Sequence, residues 1–279
     1  MSLWYAFCDF LPVEMLHWDF MKNALLAILI MGPLFGLLST MVVTGKMSFF
    51  SDALGHSAFT GIAIGSIFGV LAPTWVAVIF SVVFALLFSY VRSRSHQASD
   101  TIIGVFSSTA VALGILIATL NGNSFTKYNT YLVGDILSIT PGQIGILAII
   151  LGVLVVFWLL ASNQLTLTSI HPQLASSRGI PIKYEQAIFT VVLALVVTLC
   201  IPSVGLLILN SLLVLPGAAA RNVAKNWRQY HVLSVVFALG AGLGGFTLSY
   251  YLGCSAGAAI SLILAMLFAL SFCLRRRNP

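Results

Sequence analysis

Between Pro141 and Ala161 the chain reads PGQIGILAIILGVLVVFWLLA, with no charged residue. A helix that crosses the hydrocarbon core of a bilayer needs about 20 predominantly apolar residues, and this run supplies them. Working outward, further runs of the same kind lie at about 23–43, 52–70, 73–91, 101–120, 185–201, 204–220, 231–251 and 255–274. The pattern predicts an all-α, polytopic membrane helical bundle of eight or nine transmembrane helices. The pair within 185–220 is the least regular. Pro202 and Ser203 point to a tight hairpin, and Pro216 can break its second member, so eight crossings plus one re-entrant segment also fit.

The composition agrees. Of 279 residues 59% are hydrophobic and 7% charged, with a mean hydropathy of +1.06. A soluble domain carries about 25% charged residues, and a water-soluble fold of this length has nowhere to hide so much apolar surface. There is room for one membrane domain, without a soluble catalytic domain beside it. The net charge of +6 does not point to nucleic acid, because the cations sit in short loops between apolar runs. If the runs alternate, Lys46, Arg92, Arg94, Arg178, Lys183, Arg221, Lys225, Arg228, Arg275, Arg276 and Arg277 share one side, and only Lys22 and Lys127 fall on the other. That asymmetry predicts the first side to be cytoplasmic. Residues 1–22 then form an extracytoplasmic or interfacial segment, for which Trp4, Tyr5 and Trp18 are suited. Residues 23–274 form the membrane domain, and 275–279 a basic cytoplasmic tail. The N-terminus carries Asp9, Glu14 and Asp19 and no basic stretch, so it does not read as a cleaved signal peptide. Cys8, Cys200, Cys254 and Cys273 form no CxxC pair and suggest neither a disulfide framework nor a thiolate metal site.

Small residues recur at four-residue spacing: Gly61, Gly65 and Gly69; Gly32 and Gly36; Gly253 and Gly257. Each set predicts a shared face for close helix packing within the bundle, with a dimer face as the minority reading. Two connections exceed a turn. Residues 121–140 fall outside. Residues 162–184 fall inside, and there Pro172 can open a short helix that Gly179 ends. A docking element and an ordinary loop both fit that segment.

Ionisable groups within a bilayer are expensive and count as functional candidates. The strongest case is Ser51-Asp52-Ala53-Leu54-Gly55-His56-Ser57. Asp52 and His56 are four apart and share a helix face. A carboxylate and an imidazole there can ligate a divalent transition metal: Zn2+ takes both, and Mn2+ favours the oxygen. Two ligands from one chain do not close a site, yet a transporter must release its ion. The residues alone leave the alternative open, with Asp52 an N-cap and His56 a packed core histidine. Asp52 also falls near the cytoplasmic end of its run. Asp100 reads as a cap or its neighbour, and Asp135 as a loop carboxylate able to attract a cation. Asn210 and Ser211 either bond across helices or line a path. His96, His171 and His231 read as surface residues. No GxxxxGK[ST] or HExxH stretch occurs, so the chain has neither a P-loop for ATP nor the zinc-protease signature.

The run Lys46-Met47-Ser48-Phe49-Phe50-Ser51-Asp52-Ala53-Leu54-Gly55-His56-Ser57 resembles the second-helix motif of the zinc and manganese ABC-transporter permeases, the ABC-3 family. Three more stretches match in order. Tyr131–Leu137, YLVGDIL, is similar to the family's outer YLFGDLL; His171–Ile180 is similar to its cytoplasmic D-x-x-x-A-x-x-x-G-I, with Ala175 and Gly179 in place; and Leu212–Arg221, LLVLPGAAAR, resembles LLIxPAATAR. The resemblance spans about 23–274. It implies an ABC-importer permease that pairs with a second permease copy in the plasma membrane of a prokaryote. A separate cytoplasmic ABC ATPase would bind the ATP, and an extracytoplasmic metal-binding protein would deliver the ion. By the same resemblance Asp52 and His56 hold the transported metal, while the segment with Pro172, Ala175 and Gly179 couples to the ATPase. Neither a covalent cofactor nor nucleic acid is implied. Two departures stand out: Ser51 replaces the Gly that normally precedes the motif Asp, and His171 stands where an acidic residue is usual. Asp135, and Phe59-Thr60-Gly61 in place of a Pro after the histidine, resemble the zinc branch, with Mn2+ or Fe2+ as alternatives. Two readings of other classes compete. A secondary transporter needs coupling charges and repeated halves, which the sequence does not display. An intramembrane metalloenzyme needs a third ligand and a base.

Overall fold

A computed structural model describes residues 2–10, 14–68, 73–95, 97–120 and 136–274. Among them the secondary structure is helical throughout, without a strand. A short helix α1 (Ser2–Asp9) and a 3-10 turn (Glu14–His17) precede α2 (Asp19–Thr44). Then come α3 (Phe50–Phe68), α4 (Pro73–Arg94), α5 (Ser99–Leu120), a 3-10 turn (Ile136–Ser138) and α6 (Pro141–Ile170). The short α7 (Pro172–Ser177) leads to α8 (Ile182–Val204), α9 (Leu206–Val223), α10 (Trp227–Leu252) and α11 (Ala256–Cys273).

Eight of these helices are long and apolar enough to cross a membrane. The ninth long helix, α3, is absent from that set although it has 19 residues. Asp52, His56 and its serines and glycines dilute its hydropathy. The helix that carries the polar motif is thus the least lipid-like of the nine.

The chain divides into two compact units. The first draws on Met1–Thr40, Asp135–Val156 and Ser203–Pro279. Within it α9 packs on α10 and α11, and α10 on α11. Gly32 and Gly36 of α2 face Leu239 and Val235 of α10, and a Cβ on Gly36 would lie 2.7 Å from the Val235 backbone. Small residues here let backbones approach, as the spacing predicted. The second unit draws on Met41–Gly134 and Phe157–Pro202. There α3 packs against α4 and α5, with Gly61 against Ala77 and Gly65 against Pro73 and Val76. Both glycines are used for packing inside the unit.

Three expectations are corrected. The helix containing Pro202 does not stop there: α8 runs on to Val204, and the break falls at Gly205, whose φ of 84° is open to glycine. Pro216 does not break α9. The Ser39 hydroxyl lies beside it, accepting from the Gly217 N–H at 2.8 Å and donating to the Val214 carbonyl at 3.3 Å, so a side chain replaces what proline disrupts. Gly253 and Gly257 do not share a face. Gly253 ends α10 with φ 62°, while Gly257 lies in α11 against Ile208.

Candidate functional site

The polar motif begins where α2 ends. The Met47 carbonyl accepts from the Phe50 N–H at 2.9 Å, and the Phe49 carbonyl accepts from the Ala53 N–H at 3.3 Å, so α3 starts at Phe50 and Asp52 is its third residue. Asp52 therefore lies inside the first turn and does not occupy the N-cap position. A carboxylate there faces the positive end of the helix dipole. His56 follows one turn later. Its Nε2 lies 3.4 Å from Asp52 Oδ2, and the two side chains are 27% and 46% exposed, respectively.

Along α3 from Phe50 to Ala63, the residues other than these two are buried. Ser51, Ala53, Leu54, Ser57, Ala58, Phe59, Thr60, Ile62 and Ala63 are all buried. Phe50 stacks on Phe88 of α4 with centroids 4.3 Å apart. The Ser57 and Ser81 hydroxyls are 3.2 Å apart. Thr60 continues the four-residue row from Asp52 and His56. Its hydroxyl contacts the Ala110 carbonyl of α5 at 2.7 Å and the His56 carbonyl at 3.0 Å. The row 52-56-60 was legible as spacing, but the Thr60 role needs α5 beside it.

The geometry allows metal ligation. With oxygen and nitrogen each about 2.1 Å from an ion, donors 3.4 Å apart subtend about 108°, close to the tetrahedral angle. Among the described residues no group of three or more His, Cys, Asp or Glu could hold a metal, so one chain offers this pair and not a closed site.

The other candidates lie apart in sequence. Pro172 opens α7 at its first turn. The Ser176 carbonyl accepts from Gly179 N–H at 3.0 Å and the Ala175 carbonyl from Ile180 N–H at 3.1 Å, a Schellman ending with Gly179 at φ 74°. Ala175 is wholly buried, while Leu174 is exposed. Asp135 and His96, and most of the 131–137 stretch, lie outside the described residues. Ser211 bonds across helices, its hydroxyl 2.7 Å from that of Ser261. His231 is not a surface residue: its Nδ1 is 2.9 Å from the Thr40 hydroxyl, and its ring packs on Trp227 and Tyr230.

Among the described residues, eight helices of spanning length and apolarity, beside the helix that carries the carboxylate–imidazole pair, define a polytopic helical membrane protein. The ABC 3 transport family matches residues 17–275, and the chain belongs to it. Among its relatives is the high-affinity zinc uptake system membrane protein ZnuB of Haemophilus influenzae, 32% identical, with 91% of this chain and 97% of that one covered. The manganese import system permease protein ScaB of Streptococcus gordonii is 29% identical, with 93% of each covered. A chain of the PsaBC structure from Streptococcus pneumoniae, solved in complex with a Fab, has the same fold. It superposes with a TM-score of 0.80 at 27% identity, covering 98% of this chain and 95% of that one.

Proposed function

We propose that the chain is the membrane permease of an ATP-driven divalent metal importer and that Zn2+ is its physiological ion. The observation that carries this reading is the Asp52–His56 pair, 3.4 Å apart, partly exposed on a stretch of α3 (Phe50–Ala63) whose other residues are buried. Both side chains are partly exposed, 27% for His56 and 46% for Asp52, so an ion can reach them. Their separation suits a tetrahedral ion, which supports Zn2+ over ions that prefer six oxygens. A second copy of the chain, related by a two-fold axis, would bring the donor count to four. The similarity to a zinc and a manganese permease at comparable identity supports the same class of cargo and makes Mn2+ the second reading.

In this cycle an extracytoplasmic metal-binding protein delivers the ion. Asp52 and His56 hold it while the path is open outward, and a cytoplasmic ABC ATPase moves the Pro172–Gly179 segment to open the inner side. Asp135 would draw cations to the outer mouth. The chain would sit in the inner membrane of a prokaryote with residues 275–279 in the cytoplasm, following the charge asymmetry. The test is uptake of radioactive Zn2+ and Mn2+ by cells expressing the chain with its ATPase and binding protein, wild type beside His56→Ala. Zinc uptake lost in the variant is expected. Uptake of manganese alone overturns the ion, and full uptake by the folded variant overturns the site.

A further inference from the structure

The first element, α1, is held against the start of α2 by polar contacts along one side. Trp4 Nε1 donates to the Lys22 carbonyl at 2.9 Å, and the Tyr5 hydroxyl donates to Asn23 Oδ1 at 2.8 Å. The Lys22 ammonium donates to Asp9 at 2.5 Å, lies 3.5 Å from Asp19 and sits 5.4 Å from the Tyr5 ring centroid. Cys8, on the same side of α1 as Trp4 and Tyr5, is buried. These contacts fix which way α1 is turned.

The other side carries Ala6, Phe7 and, just past the helix end, Phe10. All three are exposed, Phe10 by 88%. At 3.6 residues per turn they cluster opposite Trp4, Tyr5 and Cys8. A water-facing helix has the reverse arrangement, with its apolar stripe packed and its polar face outward. Trp18 and Phe20, at the start of α2, are exposed as well, with ring centroids 6.2 Å apart. Phe7, Phe10, Trp18 and Phe20 thus leave a large aromatic surface uncovered among the described residues.

Depth identifies what covers it. Helix α2 is long and apolar enough to span and begins at Asp19, so its first turn lies where hydrocarbon gives way to headgroups. Bonds to Lys22 and Asn23 hold α1 at that level. The exposed rings therefore continue the lipid-facing surface of α2 into the layer that amphipathic aromatics favour. Charge narrows the lipid chemistry. Residues 1–22 carry Asp9, Glu14 and Asp19 against Lys22, and two of those carboxylates already engage the lysine. No cation is left to attract an anionic headgroup, so the contact is apolar. We propose that α1 is an interfacial anchor, with Phe7, Phe10, Trp18 and Phe20 seated in the headgroup layer at the α2 start and indifferent to lipid charge. Anchors of this kind set the depth and tilt of spanning helices, here of α2. The anchor is independent of the transported ion and of its path.

The test uses the full-length chain in phosphatidylcholine vesicles, with Cys254→Ser and Cys273→Ser removing the exposed thiols. Cys8 and Cys200 are buried and stay. A nitroxide is attached through Phe7→Cys or Phe10→Cys, two exposed positions whose change leaves the packed side of α1 intact. Its collisions with oxygen, which dissolves in the bilayer, are compared with those of a water-soluble nickel chelate. Both labels are expected about 5–10 Å into the boundary between headgroups and acyl chains, and at the same depth when phosphatidylglycerol is added. Labels at both positions that meet the nickel chelate more than oxygen, in folded protein, put the face in water, free to dock a protein, and overturn the proposal. A depth reached only with phosphatidylglycerol makes the contact electrostatic and overturns the apolar anchor.

Discussion

Asp52 has two candidate duties that respond differently to one substitution. As a first-turn carboxylate it stabilises α3 through the helix dipole by about 0.3–1 kcal/mol, and nearly half of its side chain is exposed, where solvent screens that effect. As a ligand it supplies an anionic oxygen beside His56. Asp52→Asn keeps the shape and removes the charge. We expect metal uptake to fall at least about tenfold, since a neutral amide is a poor ligand for Zn2+, while the melting temperature of the detergent-solubilised protein barely moves. Unchanged uptake beside a lowered melting temperature would make Asp52 a structural residue. The sequence made the pair visible through spacing alone. It could not exclude an N-cap, because that depends on where the helix starts, and Met47 and Phe49 decide this through backbone bonds. His231 was misread for a related reason: its partner Thr40 is 191 residues away.

At the scale of elements, the apolar runs were legible because lipid demands long uninterrupted helices, and composition reports that demand directly. Helix breaks were less legible. Proline marks where a helix loses a hydrogen bond, whereas Ser39 supplies a substitute near Pro216, and Ser39 is far away in sequence. Gly217 explains the tightness of this contact: a Cβ there would lie 2.6 Å from the Ser39 hydroxyl and 2.7 Å from its carbonyl oxygen. Part of the LLVLPGAAAR motif is therefore explained by packing on α2 without any role for cargo. Ser39 is fully buried, so Ser39→Ala should leave the Gly217 N–H without its acceptor and destabilise the protein by about 1–3 kcal/mol. Thermal unfolding in detergent reads this. A change within about 0.5 kcal/mol would mean that the N–H turns to a carbonyl of its own helix and that the Ser39 bridge contributes little.

For the whole molecule the open matter is orientation, which the charge asymmetry predicts and the natural cysteines can test. Cys8 and Cys200 are buried, while Cys254 and Cys273 are exposed. Cys254 lies between α10 and α11, and Cys273 is the last residue of α11, so the two thiols mark opposite ends of one crossing. Under the proposed orientation the α10–α11 connection is outside and the end of α11 inside. A membrane-impermeant maleimide applied to intact cells should label Cys254 and spare Cys273, and inside-out vesicles should reverse the pattern. Cys254→Ser and Cys273→Ser assign each signal. The reversed result would turn the whole bundle over, placing Lys46, Arg92 and Arg178 outside and separating the Pro172–Gly179 segment from any cytoplasmic ATPase. Because the proposed cycle requires the Pro172–Gly179 segment to meet a cytoplasmic ATPase, this labelling tests that requirement before any ion is measured.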